Sequence, residues 1–315
     1  MNPVERLAQA IDRNSNGDGL HETALPRVQL IRSSRCVDAL HELHRPAVCI
    51  VAQGLKRVML GDRVYEYDRN RYLVVSVDVP IIGQIARASE EEPYLCLRLD
   101  LDPALLSALW LESALPAPNP GASQSTHGPS LMLSDATPDL IDAAVRLLAL
   151  LDTPDDIAML APLIEREILY RLMRGEQALR LHEIAHGESR LRQVTRAIDW
   201  IKRNYRQPFD MGELAAHARM SASALHAHFK SVTRMSPLQY QKQLRLQQAR
   251  GLMLGQAMDA ATAGHTVGYD SPSQFSREYS RLFGAPPLRD VARLRELPPT
   301  FQEHATIAVH SFARD

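Results

Sequence analysis

The 315-residue sequence predicts an α+β protein with a strand-rich N-terminal part and an all-α C-terminal part that contains two helix-turn-helix units. Three observations lead to this prediction. Short runs rich in Val, Ile, Leu and Tyr, punctuated by Gly, Asp, Asn and Pro, fill residues 28–101. From about residue 191 onward, apolar residues recur at helical spacing. The C-terminal part also repeats itself at an offset of about 50 residues.

Composition is that of an ordinary globular chain, with 45% apolar residues and a length that fits two domains. The sequence has no run of about 18 uncharged apolar residues, which a membrane span would need. Its start, MNPVERLAQAIDRN, is charged early and does not resemble a secretory signal. The three cysteines form no CxxC pair and indicate reduced thiols. We therefore expect a cytoplasmic protein that does not contact membranes.

The N-terminal elements follow in order. A short helix over Val4–Arg13 leads into the polar loop NSNGDG, and the strand runs after it predict a small barrel or sandwich. A helix opens at Pro103, and a loop rich in Pro, Gly and Ser covers residues 116–130. Helices are predicted over 138–151 and 156–174, and a further short helix lies between Gly175 and Gly187.

Each C-terminal repeat is a short helix, a turn and a longer helix opened by a serine N-cap. The predicted helices are Met211–His217 and Ser221–Val232 in the first unit, and Asp259–His265 and Ser271–Phe283 in the second. The dipeptide Pro286–Pro287 is expected to end the last of them. A short helix that presents a second helix is what a major-groove reader of DNA requires.

The spacing of the two units fits DNA. The stretch between them, Pro237–Leu254, would span roughly 27 Å as a helix at 1.5 Å per residue. Successive major grooves on one face of DNA lie about 34 Å apart. One connecting helix could therefore hold two recognition helices near adjacent grooves.

The faces of the longer helices predict which residues meet DNA. Leu225, Phe229 and Val232 should point inward in the first unit, as should Phe275, Tyr279 and Leu282 in the second. The candidate DNA-binding residues are Ser221, Ser223, Ala224, His226, Ala227, Lys230, Ser271, Ser273, Gln274, Arg277, Glu278 and Arg281. Arginine can pair with guanine and glutamine with adenine in the major groove.

Charge is distributed unevenly along the chain. Residues 190–295 hold 17 Lys and Arg against 7 Asp and Glu, whereas the remainder holds 19 against 30. A basic segment joined to an acidic one indicates a polyanionic partner for the basic segment alone. A plain helical bundle with solvated faces would not need the repeat, the serine caps and the basic excess together.

At these residues the chain resembles the AraC/XylS family of transcriptional regulators. The stretches IDWIKRNYRQPFDMGELAAHARMSASALHAHFK and VGYDSPSQFSREYSRLFGAPPLRD are similar to the family's DNA-binding domain. Two positions depart from its pattern. Ala227 stands where relatives often carry arginine, which weakens the case for base reading by the first unit. Gly264 stands inside a helix where alanine is common, at about 1 kcal/mol in helix propensity.

The stretch HRPAVCIVAQGLKRVMLGDRVYEYDRNRYLVVSVDVP resembles the cupin-like N-terminal domain of one subgroup of the same family. The resemblance implies a sensing or dimerising domain over residues 1–185, a DNA-binding domain over 186–296 and a tail over 297–315. It implies binding to double-stranded operator DNA, a small-molecule effector, a homodimer and contact with RNA polymerase. It implies neither an enzyme nor a cofactor, and the effector, the operator and the sign of regulation stay open.

Several weaker signals suggest other functions. The sequence HExxH at 182–186 is typical of zinc hydrolases, but Gly187 follows at once and no third ligand is evident. The segment from Asp12 opens like a calcium loop, yet its twelfth position is Thr23, and we predict a turn. Cys49 and Cys96 lie in apolar strands, where thiols are usually inert, so a sensing role for them or for Cys36 is the less favoured alternative. Trp200 and Phe209 have the spacing of packing residues.

Overall fold

A computed structural model describes residues 2–113, 115, 128–186 and 189–297. The strands are β1 Gly19–Glu22, β2 Val28–Ser33, β3 Val37–His44, β4 Ala47–Gln53, β5 Leu55–Leu60, β6 Arg63–Asp68, β7 Arg71–Val75, β8 Val79–Arg87, β9 Tyr94–Asp100 and β10 Leu131–Asp135. The helices are α1 Pro3–Arg13, α2 Pro103–Ser113, α3 Pro138–Ala149, α4 Ile157–Met173, α5 Ala178–Ala185, α6 Arg190–Asn204, α7 Met211–Ala218, α8 Ala222–Thr233, α9 Pro237–Gly255, α10 Ala260–Thr266, α11 Pro272–Phe283 and α12 Pro287–Arg295.

The strands form two antiparallel sheets. One has the order β1-β2-β9-β4-β7-β10, and the other has the order β3-β8-β5-β6. Side chains of both sheets, among them Ile31 and Tyr94 from the first and Lys56 and Ile85 from the second, line one small interior cavity. The two sheets therefore face each other across a common interior. The sequence predicted a small barrel or a sandwich, and the structure has two separate facing sheets.

The six-stranded sheet is covered on its outer face by helices. Helix α1 packs on β2, β4 and β9, and α3 packs on α1 and α4. Every residue of β4 except Gln53 is buried, as expected for a strand covered on both faces. The outer face of the four-stranded sheet instead meets α9 of the C-terminal part.

Three elements were not predicted from the sequence. Strands β1 and β10 are four and five residues long, and each is defined by pairing with a longer partner, β2 and β7. Helix α12 begins at Pro287, where the sequence predicted a stop. Proline suits the first position of a helix because the missing N–H has no intrahelical acceptor there.

The remaining predicted helices are confirmed, with ends that shift by one or two residues. The loop predicted over 116–130 lies outside the described residues except at 128–130, and the tail lies outside them from residue 298. The Asp12 segment is the end of α1 followed by a turn, in which Asp18 accepts hydrogen bonds from the backbone and hydroxyl of Ser34. Among the described helices, none is long and apolar enough to cross a membrane.

Candidate DNA-binding surface

The first helix-turn-helix unit consists of α7 and α8. The Asp210 carboxylate accepts from the backbone N–H of Glu213 at 2.9 Å and opens α7. Arg219, in the left-handed conformation, ends α7. The Ser221 hydroxyl accepts from the backbone N–H of Ala224 at 3.3 Å and opens α8. These local hydrogen bonds fix the turn and the direction in which α8 leaves it.

The inward face of α8 holds the unit together. Leu225 and Phe229 are fully buried and Val232 nearly so, as the spacing predicted. The Phe229 ring packs edge-on against Tyr240 of α9, with ring centroids 5.4 Å apart. Trp200 is buried, in keeping with its predicted packing role.

The second unit, α10 and α11, is built in the same way. Asp259 caps α10, and the Ser271 hydroxyl accepts from the backbone N–H of Gln274 at 3.3 Å to open α11. Gly268 has a φ of +93°, and a Cβ there would lie 2.5 Å from the Arg206 carbonyl oxygen. Only glycine suits this turn, since it accepts both the conformation and the close approach.

Gly264 has a packing role that the sequence did not reveal. A Cβ at this position would lie 2.8 Å from the ring of Phe275 on α11. The missing side chain lets α10 and α11 approach closely. The packing of the Phe275 ring against Gly264 offsets the lower helix propensity of glycine. The departure from alanine is therefore explained by the structure.

The predicted contact residues lie mostly on the solvent-facing sides of α8 and α11. Exposed ones are Ser221, Ser223, His226, Ala227, Lys230, Ser273, Gln274, Arg277 and Arg281, and half-buried ones are Ala224, Ser271 and Glu278. The side chains of Lys230 and Arg277 are exposed and make no hydrogen bond or ion pair within the described part of the chain, so both are available to a ligand.

Glu278 is held by its neighbours and does not project freely. Its carboxylate accepts from Lys242 at 2.8 Å, from the Tyr269 hydroxyl at 2.8 Å and from the Gln274 amide at 3.2 Å. Burial raises the pKa of Glu278, but these hydrogen bonds and the Lys242 charge outweigh it, and the pKa lies below its usual value. Glu278 stays ionised and orients the Gln274 amide at the surface.

Helix α9 connects the two units and also joins them to the N-terminal sheets. Arg250, fully buried on α9, donates to the His41 carbonyl oxygen of β3. Its guanidinium lies 4.4 Å from the ring centroid of Phe283, at the end of α11. The His41 ring packs edge-on against the same phenyl ring, at 5.1 Å. The second recognition helix is thus in direct contact with the N-terminal part.

Further contacts between the two parts lie at Asp78, which precedes β8. Its carboxylate pairs with Lys202 of α6, and its carbonyl accepts from the Tyr240 hydroxyl at 2.9 Å. Neither Asp78 nor Arg250 was singled out from the sequence. For Arg250, the sequence shows a charged residue near the apolar end of α9. That pattern does not identify His41, 209 positions away, as its partner.

A groove of about 550 Å³ separates the outer face of the four-stranded sheet from α9 and α11. We call it the interdomain groove. Its apolar lining includes Met59, Pro80, Ile82, Leu246 and Leu282, and its polar lining includes Arg234, Gln239, Lys242, Glu278 and Arg281. Arg281, predicted to meet DNA, therefore also borders this groove. The volume lies within the usual range for small-molecule sites.

The space between the two sheets is, by contrast, almost filled. The cavity there measures about 30 Å³. Glu42 and Lys56 are buried in it, and their side chains pair at 3.3 Å. A barrel of this size can either hold a small ligand or be filled by side chains, and the described side chains fill all but this cavity.

The HExxH segment does not assemble a metal site in the described residues. Helix α5 ends at Ala185, so His186 lies beyond it in an extended conformation. The rings of His182 and His186 stack at 4.6 Å, and Glu183 pairs with Arg180 at 2.8 Å. Throughout the described ranges, no group of three His, Cys, Asp or Glu side chains could hold a metal ion.

Comparison with known families gives two matches. Residues 24–180 match the AraC-type transcriptional regulator N-terminus, and residues 214–293 match a helix-turn-helix domain. Together they span about three quarters of the chain, in the order and at the places where the two parts lie.

Three relatives illustrate the sequence similarity. The transcriptional regulator ArgR of Pseudomonas aeruginosa is 27% identical over 46% of this chain and 44% of its own length. The transcriptional activator RhaS of Pectobacterium carotovorum is 30% identical over 33% of this chain and 38% of its own. Both alignments cover less than half of the relative. The thermoregulatory protein LcrF of Yersinia pestis is 26% identical over 80% of this chain and 90% of its own.

Solved structures share the fold. Apo ToxT of Vibrio cholerae superposes with a TM-score of 0.56 over 86% of this chain and 99% of its own, at 10% identity. ToxT with a bound unsaturated fatty acid superposes with a TM-score of 0.53 over 84% of this chain and 93% of its own, at 9% identity. The arrangement of two facing sheets followed by two helix-turn-helix units is therefore known in another protein.

Proposed function

Because this chain belongs to the AraC-type family of transcriptional regulators, we propose that it binds double-stranded DNA sequence-specifically and regulates transcription. Residues 186–296 form the DNA-binding part in this proposal, and residues 1–185 form the sensing part. The observation that carries it is the pair of serine-capped helices α8 and α11, each with a polar face to solvent, joined through one buried helix, α9.

We assign separate roles to the surface residues. The Arg277 side chain is exposed and has no partner among the described residues, so it can donate two hydrogen bonds to a guanine edge. Gln274, oriented by Glu278, offers its amide to adenine. Lys230 supplies a phosphate contact, because a flexible ammonium carries little base information. His226 offers a single ring contact in the first unit.

Salt dependence tests the proposal directly. The full chain should bind a member of a randomised operator pool, and its affinity should fall linearly with the logarithm of salt concentration. Lys230→Ala should lower that slope by about one phosphate contact, whereas Arg35→Ala, an exposed arginine of the N-terminal part, should not change it. A salt-insensitive affinity, or no bound member of the pool, would refute the proposal.

We also propose that the interdomain groove is the effector site. Its apolar floor and the cations Arg234, Lys242 and Arg281, against the single carboxylate Glu278, suit an organic anion with an apolar body. A thermal-shift panel of such anions should find a ligand whose stabilisation weakens in Arg281→Gln. Stabilisation that is unchanged in this variant would place the effector elsewhere.

A homodimer is part of the proposal. Leu111 of α2 and Met159 and Leu163 of α4 are exposed apolar residues, and an ion pair between Glu112 and Arg166 links the two helices. A second copy would cover this face. Sedimentation at micromolar concentration should show a dimer that Leu163→Glu dissociates, and a monomeric parent would contradict it. Contact with RNA polymerase in the cytoplasm completes the proposed function.

A further inference from the structure

The interior between the sheets holds a cysteine–histidine pair that the proposed function does not use. Cys49 of β4 is 2% exposed, and its Sγ lies 3.7 Å from Nε2 of His44 on β3. The other ring nitrogen, Nδ1, lies 2.8 Å from the Arg45 carbonyl oxygen and can only donate to it. Nε2 of the neutral ring is therefore the atom that accepts the thiol proton. A nucleophile, a base and a group that orients the base are thus assembled.

A second thiol lies beside the first. Strand register places Cys49 opposite Arg98 and Cys96 opposite Val51, so the two cysteines are diagonal neighbours on one face of the sheet. A hydrogen bond from Cys96, followed by the His44 contact and the Arg98 charge, lowers the pKa of Cys49 against the effect of burial. Burial raises the pKa of the Cys96 thiol. Cys49 is thus the more acidic thiol of the pair.

The surroundings are polar for an interior. The titratable and charged groups that face the thiols are Glu42 and His44 of β3, Lys56 of β5, Tyr67 of β6, and Tyr94 and Arg98 of β9. Arg98 also pairs with Asp100 at 2.8 Å. The hydroxyls of Tyr67 and Tyr94 are buried and have no conventional hydrogen-bond partner among the described residues.

The cavity of about 30 Å³ adjoins this cluster, because Lys56 and Tyr94 line it. A cavity holds a water molecule from roughly 10–15 Å³ of such volume upward. It therefore has room for a small polar molecule the size of water, and hydrogen peroxide is the oxidant closest to that size. Among the cavity-lining residues, Tyr94 would offer its buried hydroxyl to such a polar guest.

We propose that Cys49 is a peroxide-reactive thiol, that His44 is its base and that Cys96 resolves the product to a disulfide. His44 Nε2 takes the Cys49 proton, the Cys49 sulfur attacks one oxygen of hydrogen peroxide, and the O–O bond breaks. The sulfur becomes a sulfenic acid, and the leaving hydroxide takes the proton from His44 to form water. The Cys96 sulfur then attacks Cys49, an S–S bond forms, and the S–OH group leaves with the Cys96 proton as a second water. Two thiols are oxidised and one peroxide is reduced.

We expect the oxidation to change the DNA affinity of the DNA-binding part. Diagonal neighbours in a sheet have Cα atoms about 7–8 Å apart, whereas a disulfide usually needs about 4.4–6.8 Å, so β4 and β9 must shift. His44 lies three residues from His41, which contacts Arg250 and Phe283. Only this coupling rests on the proposed function, since the thiol chemistry stands without it.

Mass spectrometry of the reduced full chain, treated with one equivalent of hydrogen peroxide, tests the chemistry. We expect the loss of two hydrogens per chain and a linked peptide that contains Cys49 and Cys96. Cys36→Ser, which removes the exposed thiol, should behave like the parent. Cys96→Ser should leave a sulfenic acid on Cys49 that dimedone traps when the protein is unfolded in its presence after excess peroxide is removed. His44→Gln should slow the reaction roughly 10²-fold at neutral pH and recover in alkali.

Thermal melting of each variant confirms that it is folded before its reactivity is compared. Modification of Cys36 alone, with Cys49 and Cys96 intact in folded protein, would overturn the proposal. A Cys49–Cys96 disulfide that leaves DNA affinity unchanged would overturn the coupling. Failure of the reduced chain to bind any operator is a different result, and it would count only against the proposed function.

Discussion

The two helix-turn-helix units share one architecture but differ in what their recognition helices carry. On α8 the outward side chains include the short Ser223 and Ala227, beside His226 and Lys230, none of which can make a bidentate base contact. On α11 they include Gln274 and Arg277, which can make bidentate base contacts. A repeated fold does not therefore imply repeated function, and we expect the second unit to read bases more strongly.

The units also meet the N-terminal part differently. The end of α8 touches it through the backbone, where the Ser130 N–H donates to the Val232 carbonyl at 2.9 Å. The end of α11 touches it through side chains, with the Phe283 ring between Arg250 and His41. These side-chain contacts can rearrange when a ligand binds or a group titrates nearby. We therefore expect a change in the N-terminal part to affect the second unit before the first.

Removal of Arg250 should give the largest effect and sharpen this difference. Arg250→Ala leaves the His41 carbonyl without its donor and opens a cavity beside Phe283. We expect a loss of about 3 kcal/mol in the free energy of unfolding. Urea titration measures it, and Arg289→Ala, at an exposed position of α12, should change it by less than about 0.5 kcal/mol. Equal effects of the two variants would show that the contact does not matter.

Acid should weaken the same contact through His41. Burial, followed by the charges of Arg250 and Arg293, lowers the pKa of His41 to about 4. Because the unfolded chain binds the proton more readily, stability is full above about pH 6.5 and falls as the pH drops toward 4, by about 2 kcal/mol at pH 5. Melting of the parent and of His41→Gln across this range should show the loss in the parent alone. Parallel curves would contradict the assignment.

Gly264 tests the close packing of α10 against α11 in the second unit. At a solvent-exposed position inside a helix, replacing glycine by alanine raises the free energy of unfolding by up to about 1 kcal/mol. Gly264→Ala should instead destabilise by about 1–2 kcal/mol, since its Cβ meets Phe275. Gly255→Ala is the matched control, because nothing lies within 4 Å of its Cβ. If both variants gain stability, the close approach of α10 and α11 is wrong.

The smallest expected change separates base reading from phosphate binding. Arg277→Ala should remove roughly 1 kcal/mol or more of discrimination at one guanine. Lys230→Ala should weaken all sequences alike. Binding of both variants to an operator library reports each outcome, and an unchanged preference profile in Arg277→Ala would remove Arg277 from base reading.

Both helix-turn-helix units could be predicted from the sequence, because the patterns that mark them lie within a few residues of each other. Serine and aspartate caps, apolar spacing and the repeat located both units to within one or two residues at most ends. Strands β1 and β10 could not be predicted, because each is only four or five residues long and is defined by its pairing with another strand. The role of Gly264 needed the position of Phe275. The Arg250–His41 contact and the interdomain groove join residues that no local pattern relates.

We propose that the chain reads DNA through two unequal helix-turn-helix units. The most direct test is binding of the full chain to a library in which every operator position is randomised, at two salt concentrations. We predict two half-sites about one helical turn apart, with sharper base preferences in the half-site that Arg277→Ala alters, and weaker binding at higher salt. Equally sharp half-sites would contradict the ranking of the units, and selection of no sequence would contradict the claim itself.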